Sequence, residues 1–136
     1  MSLPSHPLTW NDIRYFKPQE FASPDDPNSG TMMNLDFVSK LDSLRDAVKE
    51  PLKINSGYRT QAHNATVGGV DSSAHSSGHA ADISTTSSAL RHKVLEAAFR
   101  MGFVRIGIGQ TFVHLDDDLT KPQEVVWMYA DTASRG

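Results

Sequence analysis

Residues 56–79 limit this chain more than any other stretch, because Ser, Gly, His, Asn and Thr dominate them from Ser56-Gly57-Tyr58-Arg59 to Ser76-Ser77-Gly78-His79. A segment so polar cannot enter a core, and one of this length without regular structure inside a compact domain is either functional or disordered. Any core must therefore be built from the two flanks. With 136 residues, 38% of them hydrophobic, the chain has enough apolar material for a single domain spanning residues 1–136.

The flanks carry clear periodicities. Phe37, Leu41, Leu44 and Val48 recur at helical spacing between a capping Asn34 and the stop at Pro51, which predicts a helix over about 34–49. Leu52 to Asn55 alternates as a short strand entering the polar segment, and Ala80 to Ile83 forms the strand that leaves it. Ser87 or Ser88 caps a second helix carrying Leu90, Val94, Ala98 and Met101, and Gly102 ends it. Val104 to Ile108 and Phe112 to Asp116, joined by Gly109-Gln110-Thr111, read as a hairpin, and Glu124 to Tyr129 as a last strand. Five of the seven prolines fall within residues 4–33, so this part reads as an irregular arm. Its Trp10, Tyr15, Phe16 and Phe21 point to packing against a core of about 34–129. The order is that of an α+β fold with a small, mainly antiparallel sheet packed against helices.

Composition removes several functions. Thirteen basic residues against sixteen acidic ones, a net charge of −3, do not suit a nucleic-acid binder working by charge. No apolar run is long enough to span a membrane, and Met1 to Trp10 lacks the basic-then-apolar order of a signal peptide, so synthesis in the cytoplasm is expected. The absence of cysteine excludes disulfides and thiolate chemistry, and leaves any metal site to nitrogen and oxygen ligands.

Such ligands are present. His75 and His79 stand four apart, but the helical two-histidine zinc motif needs a glutamate where Ser76 stands, and Ser76-Ser77-Gly78 is poor helix. A better set is His75, Asp82 and His114, two imidazoles and one carboxylate with a fourth position left for water. Along Phe112 to Asp116, Val113 and Leu115 face one way while Phe112, His114 and Asp116 face the other. If Val113 and Leu115 are core, His114 and Asp116 share the solvent-open face. Composition alone is as compatible with exposed histidines in a serine-rich loop.

The string Ser73-x-His75-x-x-Gly78-x-Ala80-x-Asp82, preceded by Ile54 to Arg59 and followed by Gly107-Ile108 and Phe112 to Asp116, resembles the zinc D-alanyl-D-alanine carboxypeptidases and related peptidoglycan endopeptidases of peptidase family M15. The similarity runs from about Tyr15 to Asp116. It implies the fold shared by the Hedgehog signalling domain and the vancomycin-resistance dipeptidases, with the metal site on the open face of the sheet. It also implies one Zn2+ per chain held by His75, Asp82 and His114, with Arg59 and Ser73 at the substrate. Zinc lowers the pKa of a bound water to about 7, and a guanidinium forks two hydrogen bonds onto a carboxylate or oxyanion.

One departure stands out. Many relatives carry a general base a few residues before the last ligand, whereas Ile108 to Val113 offer none. Asp116 is the first candidate, either to orient His114 or to take a proton, ahead of Asp117 and Asp118; His79 is the next choice and His63 the other spare imidazole. The implied function is hydrolysis of the peptidoglycan stem peptide by a lysin-like carboxypeptidase or endopeptidase of phage or prophage type, acting on the wall after release or from a virion; the sequence leaves the oligomeric state open, with a monomer favoured. The alternatives are a zinc-stabilised binding module impaired in catalysis and a phage structural protein of the same fold.

Overall fold

The computed structural model describes residues 7–70 and 72–130. Helix α1, Leu35–Val48, starts where the Asn34 side chain accepts a hydrogen bond from Phe37 N at 3.0 Å. It buries Phe37, Val38, Leu41, Leu44 and Val48 along one stripe, and Lys49 closes it in the left-handed region at φ 64°. Strand β1, Ile54–Ser56, begins two residues later than the alternation of Leu52 to Asn55 predicts. Within the polar segment lies a helix that the sequence reading left as loop: α2, Gln61–Thr66, capped by Thr60 Oγ1 accepting from His63 N at 3.1 Å. Its one buried residue is the polar Asn64, so it carries no apolar stripe for a pattern to reveal.

The polar segment ends in β2, Ala80–Ser84. Helix α3, Ser88–Arg100, is capped by Ser87 and packs Val94, Ala97 and Ala98 inward, with Gly102 turning the chain at φ 83°. The hairpin then forms as β3, Arg105–Ile108, and β4, Phe112–Asp116, and β5, Val125–Met128, completes the sheet.

The strand order is β1-β2-β4-β3-β5, antiparallel except for β5, which runs parallel to β3 at the edge. One face of this α+β sheet carries the apolar core: Ala81, Ile83, Ile106, Val113 and Leu115 meet the stripes of α1 and α3. The arm contributes to the same core. It is made of three short 3-10 turns, Trp10–Asp12, Pro18–Phe21 and Ser29–Met32, and it sinks Ile13, Phe16 and Phe21. The Asp42 carboxylate on α1 clamps it by accepting from the backbone N–H groups of Arg14 and Tyr15 at 3.0 and 2.8 Å. Tyr15 departs from the expected inward packing. Its ring lies outside between the Arg14 and Arg45 guanidinium groups, with its hydroxyl on Asp46 at 2.6 Å. No helix among the described residues is long and apolar enough to cross a membrane.

Candidate metal centre

The register of the sheet builds the site. Ser56 pairs with Asp82, Asp82 with His114, His114 with Gly107 and Gly107 with Trp127, so one row crosses all five strands on the face away from the core. The adjacent row sets Asp116 beside Arg105. His75 reaches the row from the polar segment, where the backbone folds tightly: Ser73 Oγ accepts from His75 N at 3.2 Å, and Arg59 N donates to His75 O. Gly78, at φ 78°, makes the turn between His75 and Asp82, because a Cβ there would stand 2.5 Å from Met32 O.

His75, Asp82 and His114 thereby offer ligand atoms that all lie within 4.8 Å of one another, with all three residues buried. Asp82 Oδ1 is 3.4 Å from His75 Nε2 and 2.8 Å from His114 Nδ1. The outward nitrogens are anchored as well. His75 Nδ1 meets Gly57 O at 2.8 Å, and His114 Nε2 meets Asp116 Oδ2 at 2.6 Å. That arrangement fits a divalent cation: two borderline nitrogen donors and one hard oxygen converge, and each imidazole has its far nitrogen held by an acceptor that fixes its orientation.

The electrostatics suit the same ligand. Burial pushes the His75 pKa below the ordinary imidazole value despite the attraction of Asp82, so the ring is neutral, the form a metal requires. Burial would raise Asp82, yet its interactions with His75 and His114 hold it well below the carboxylate range. Burial likewise opposes charge on His114, but its bonds to Asp116 and Asp82 raise it to about 8. The imidazolium satisfies both carboxylates, and a cation at Nδ1 takes the place of one proton.

The expectation of an open face is corrected here. Phe112, His114 and Asp116 do lie on the side away from the core, but all three are buried, because Trp127, Tyr129 and the returning polar segment roof that side. Access is through a cleft of about 180 Å³ lined in part by Arg59, Ser73, His75, His114, Trp127 and Tyr129. Arg59 places Nη2 3.9 Å from Asp82 Oδ2 and donates from Nη1 to Asn64 Oδ1 at 3.1 Å. Burial lowers the Arg59 pKa, an effect that Asp82 opposes.

Asp116 stands behind His114, one oxygen on that ring and the other accepting from Arg105 Nε at 2.6 Å. His79 does not line the cleft; its Nδ1 meets Asp117 Oδ1 at 2.7 Å, and Asp117 also faces Lys40. His63 sits on α2 and does not line it either. Asp118 is tied to Lys121 and Thr120, which hold it at about 2 against the effect of burial.

Arg105, Trp127, Tyr129 and Asn64 are the residues at the site that sequence reasoning missed. One signal was present: a glycine inside a strand, Gly107, marks close approach. A Cβ on Gly107 would come within 2.6 to 2.8 Å of the Tyr129 and Trp127 rings.

Two imidazoles and a carboxylate converging beside a cleft form a site that can hold a divalent metal ion. Residues 14–116 match the family model of peptidase M15, and the chain belongs to that family of metallopeptidases. No curated protein matches the chain.

Proposed function

We propose that the protein is a zinc peptidase that hydrolyses the peptidoglycan stem peptide, as a D,D-carboxypeptidase or an endopeptidase of the lysin type. The observation that carries this reading is the convergence of His75, Asp82 and His114 on the floor of a cleft with Arg59 at its wall. When bound there, zinc supplies Lewis-acid polarisation of the scissile carbonyl and a water acidified to near neutrality.

The remaining roles belong to the chain. His75 and His114 hold their donor nitrogens inward because Gly57 O and Asp116 hold the outward ones. Arg59, kept in place by Asn64 and by attraction to Asp82, presents its guanidinium to a peptide carboxylate or to the oxygen on which negative charge develops. Ser73 fixes the turn before His75 and faces the same cleft. Of the two roles open to Asp116, its geometry favours orienting His114, since both its oxygens are engaged behind that ring.

One observation favours a second reading. Among the described residues lining the cleft, none besides the ligands and Asp116 carries a carboxylate or imidazole to take a proton from water. A zinc-stabilised binding module would need none. Mass spectrometry of muropeptides incubated with the protein, with and without a chelator, decides between them. Chelator-sensitive products establish the peptidase and give the bond from their masses; intact muropeptides beside a zinc-loaded protein establish the module. Copurification with virions would place the activity on a phage particle.

A further inference from the structure

Part of the wall of the cleft comes from Trp127 of β5 and from Tyr129, beyond residue 116, where the match to the family model ends. The tightness of this wall distinguishes it from a surface strand. Gly107 lacks a side chain at the point where two rings approach the sheet, and a Cβ there would meet Tyr129 Cε2 at 2.6 Å and Trp127 Nε1 at 2.7 Å. Phe112 backs the Tyr129 ring at a centroid distance of 5.1 Å, and Arg105 lies over Trp127 at 4.9 Å. Both rings border His114, Trp127 at 5.4 Å and Tyr129 at 6.3 Å between centroids.

Within this wall the Tyr129 ring is held by packing against Phe112, His114 and Trp127 and lines the cleft. Its hydroxyl carries a proton to donate. Arg59, His114 and Asp116 line the same cleft, so the ring borders the candidate metal centre.

We propose that Tyr129 is a further catalytic residue, donating its phenolic hydrogen bond to the peptide group being cut, with Trp127 as its positioning residue. The inference rests on the peptidase reading above. A donor whose ring is fixed in advance by packing reorganises little as charge grows on the substrate oxygen, which is the condition under which one hydrogen bond acts chiefly on the rate. Gly107 belongs to the same device, since any side chain there would displace both rings.

The test compares wild type, Tyr129→Phe and Trp127→Phe on purified muropeptides, with zinc content and thermal melting measured on each. Tyr129→Phe should lower kcat by about 10- to 100-fold with KM nearly unchanged, the loss of one donor at the reacting oxygen. Trp127→Phe, which shrinks the ring packed beside Tyr129, should lower kcat by a smaller factor. Both should keep full zinc and melt close to wild type. An active wild type with an unchanged kcat in Tyr129→Phe overturns the inference, whether or not KM moves. Loss of zinc from Tyr129→Phe also overturns it, by making the ring structural. A zinc-loaded wild type that leaves muropeptides intact removes the peptidase reading itself, an outcome distinct from either.

Discussion

Strand β4 buries both of its faces, but by different means. Val113 and Leu115 are enclosed by apolar side chains from α1, α3 and the neighbouring strands. Phe112, His114 and Asp116, their alternates, are buried just as deeply, yet His114 and Asp116 are held by short polar contacts to Asp82 and Arg105. Contacts of the first kind are non-directional and tolerate changes of shape that keep volume. Those of the second kind depend on every partner, because a buried polar group that loses one bears its desolvation cost alone. One five-residue strand thus carries the stability of the sheet on one side and the chemistry of the site on the other.

Substitutions that act on one face and spare the other test this division. The largest effect is expected from His75→Ala, which removes a donor from the polar side: chelator-sensitive hydrolysis should fall to background and metal content should drop in inductively coupled plasma measurements, while the chain stays folded. Full metal content in this variant would remove His75 from the donor set. Next is Leu115→Ala on the apolar side, expected to cost about 2 to 5 kcal/mol in denaturant unfolding. Below its lowered melting temperature that variant should still bind one metal, and a loss of metal in the folded variant would show that the two faces are not separable.

Asp116→Asn keeps the volume and one acceptor but weakens the anchor of His114. Metal affinity measured by competition with a chromophoric chelator should fall about 10- to 100-fold. Should affinity stay at the wild-type value, Asp116 does not orient His114. The smallest effect is on pH dependence after the metal is removed by chelation. His114, raised to about 8 by its carboxylates, binds a proton more tightly folded than unfolded. Its contribution is complete below the unfolded value near 6.5 and fades as pH rises through about 8. His75, lowered by burial, acts the other way, and its forced neutrality costs stability below about 6.5. Melting temperatures of the stripped protein should therefore decline from about pH 6.5 to 8, and a profile that rises over this interval would reverse the assignment for His114.

Most of the scaffold was legible in the sequence. The cores of α1, α3, β2 and the β3–β4 hairpin follow from apolar period, caps and turn residues, which are local quantities. The three donors were also legible as residue types, through the short spacing of His75 and Asp82 and the alternation of His114 with Val113. Features that depend on register were hidden. Nothing in Val125 to Met128 states that this strand lies parallel to β3, so nothing local places Trp127 across from Gly107. Without that row the outward face of β4 reads as open, and Arg105 reads as a surface charge rather than the partner of Asp116. Helix α2 was hidden because its buried residue, Asn64, is polar and serves Arg59 and Val70 O instead of a core.

The spacing of the donors along the chain has a consequence for assembly. Asp82 and His114 are 32 positions apart, and the carbonyl that anchors His75 lies 18 positions before it. The full set closes only when β4 has paired with β2, a step that must await synthesis of residue 116 and the closure of long loops. Coordination by all three donors is therefore open only to the paired β2–β4 sheet, and not to the segment from His75 to Asp82 alone.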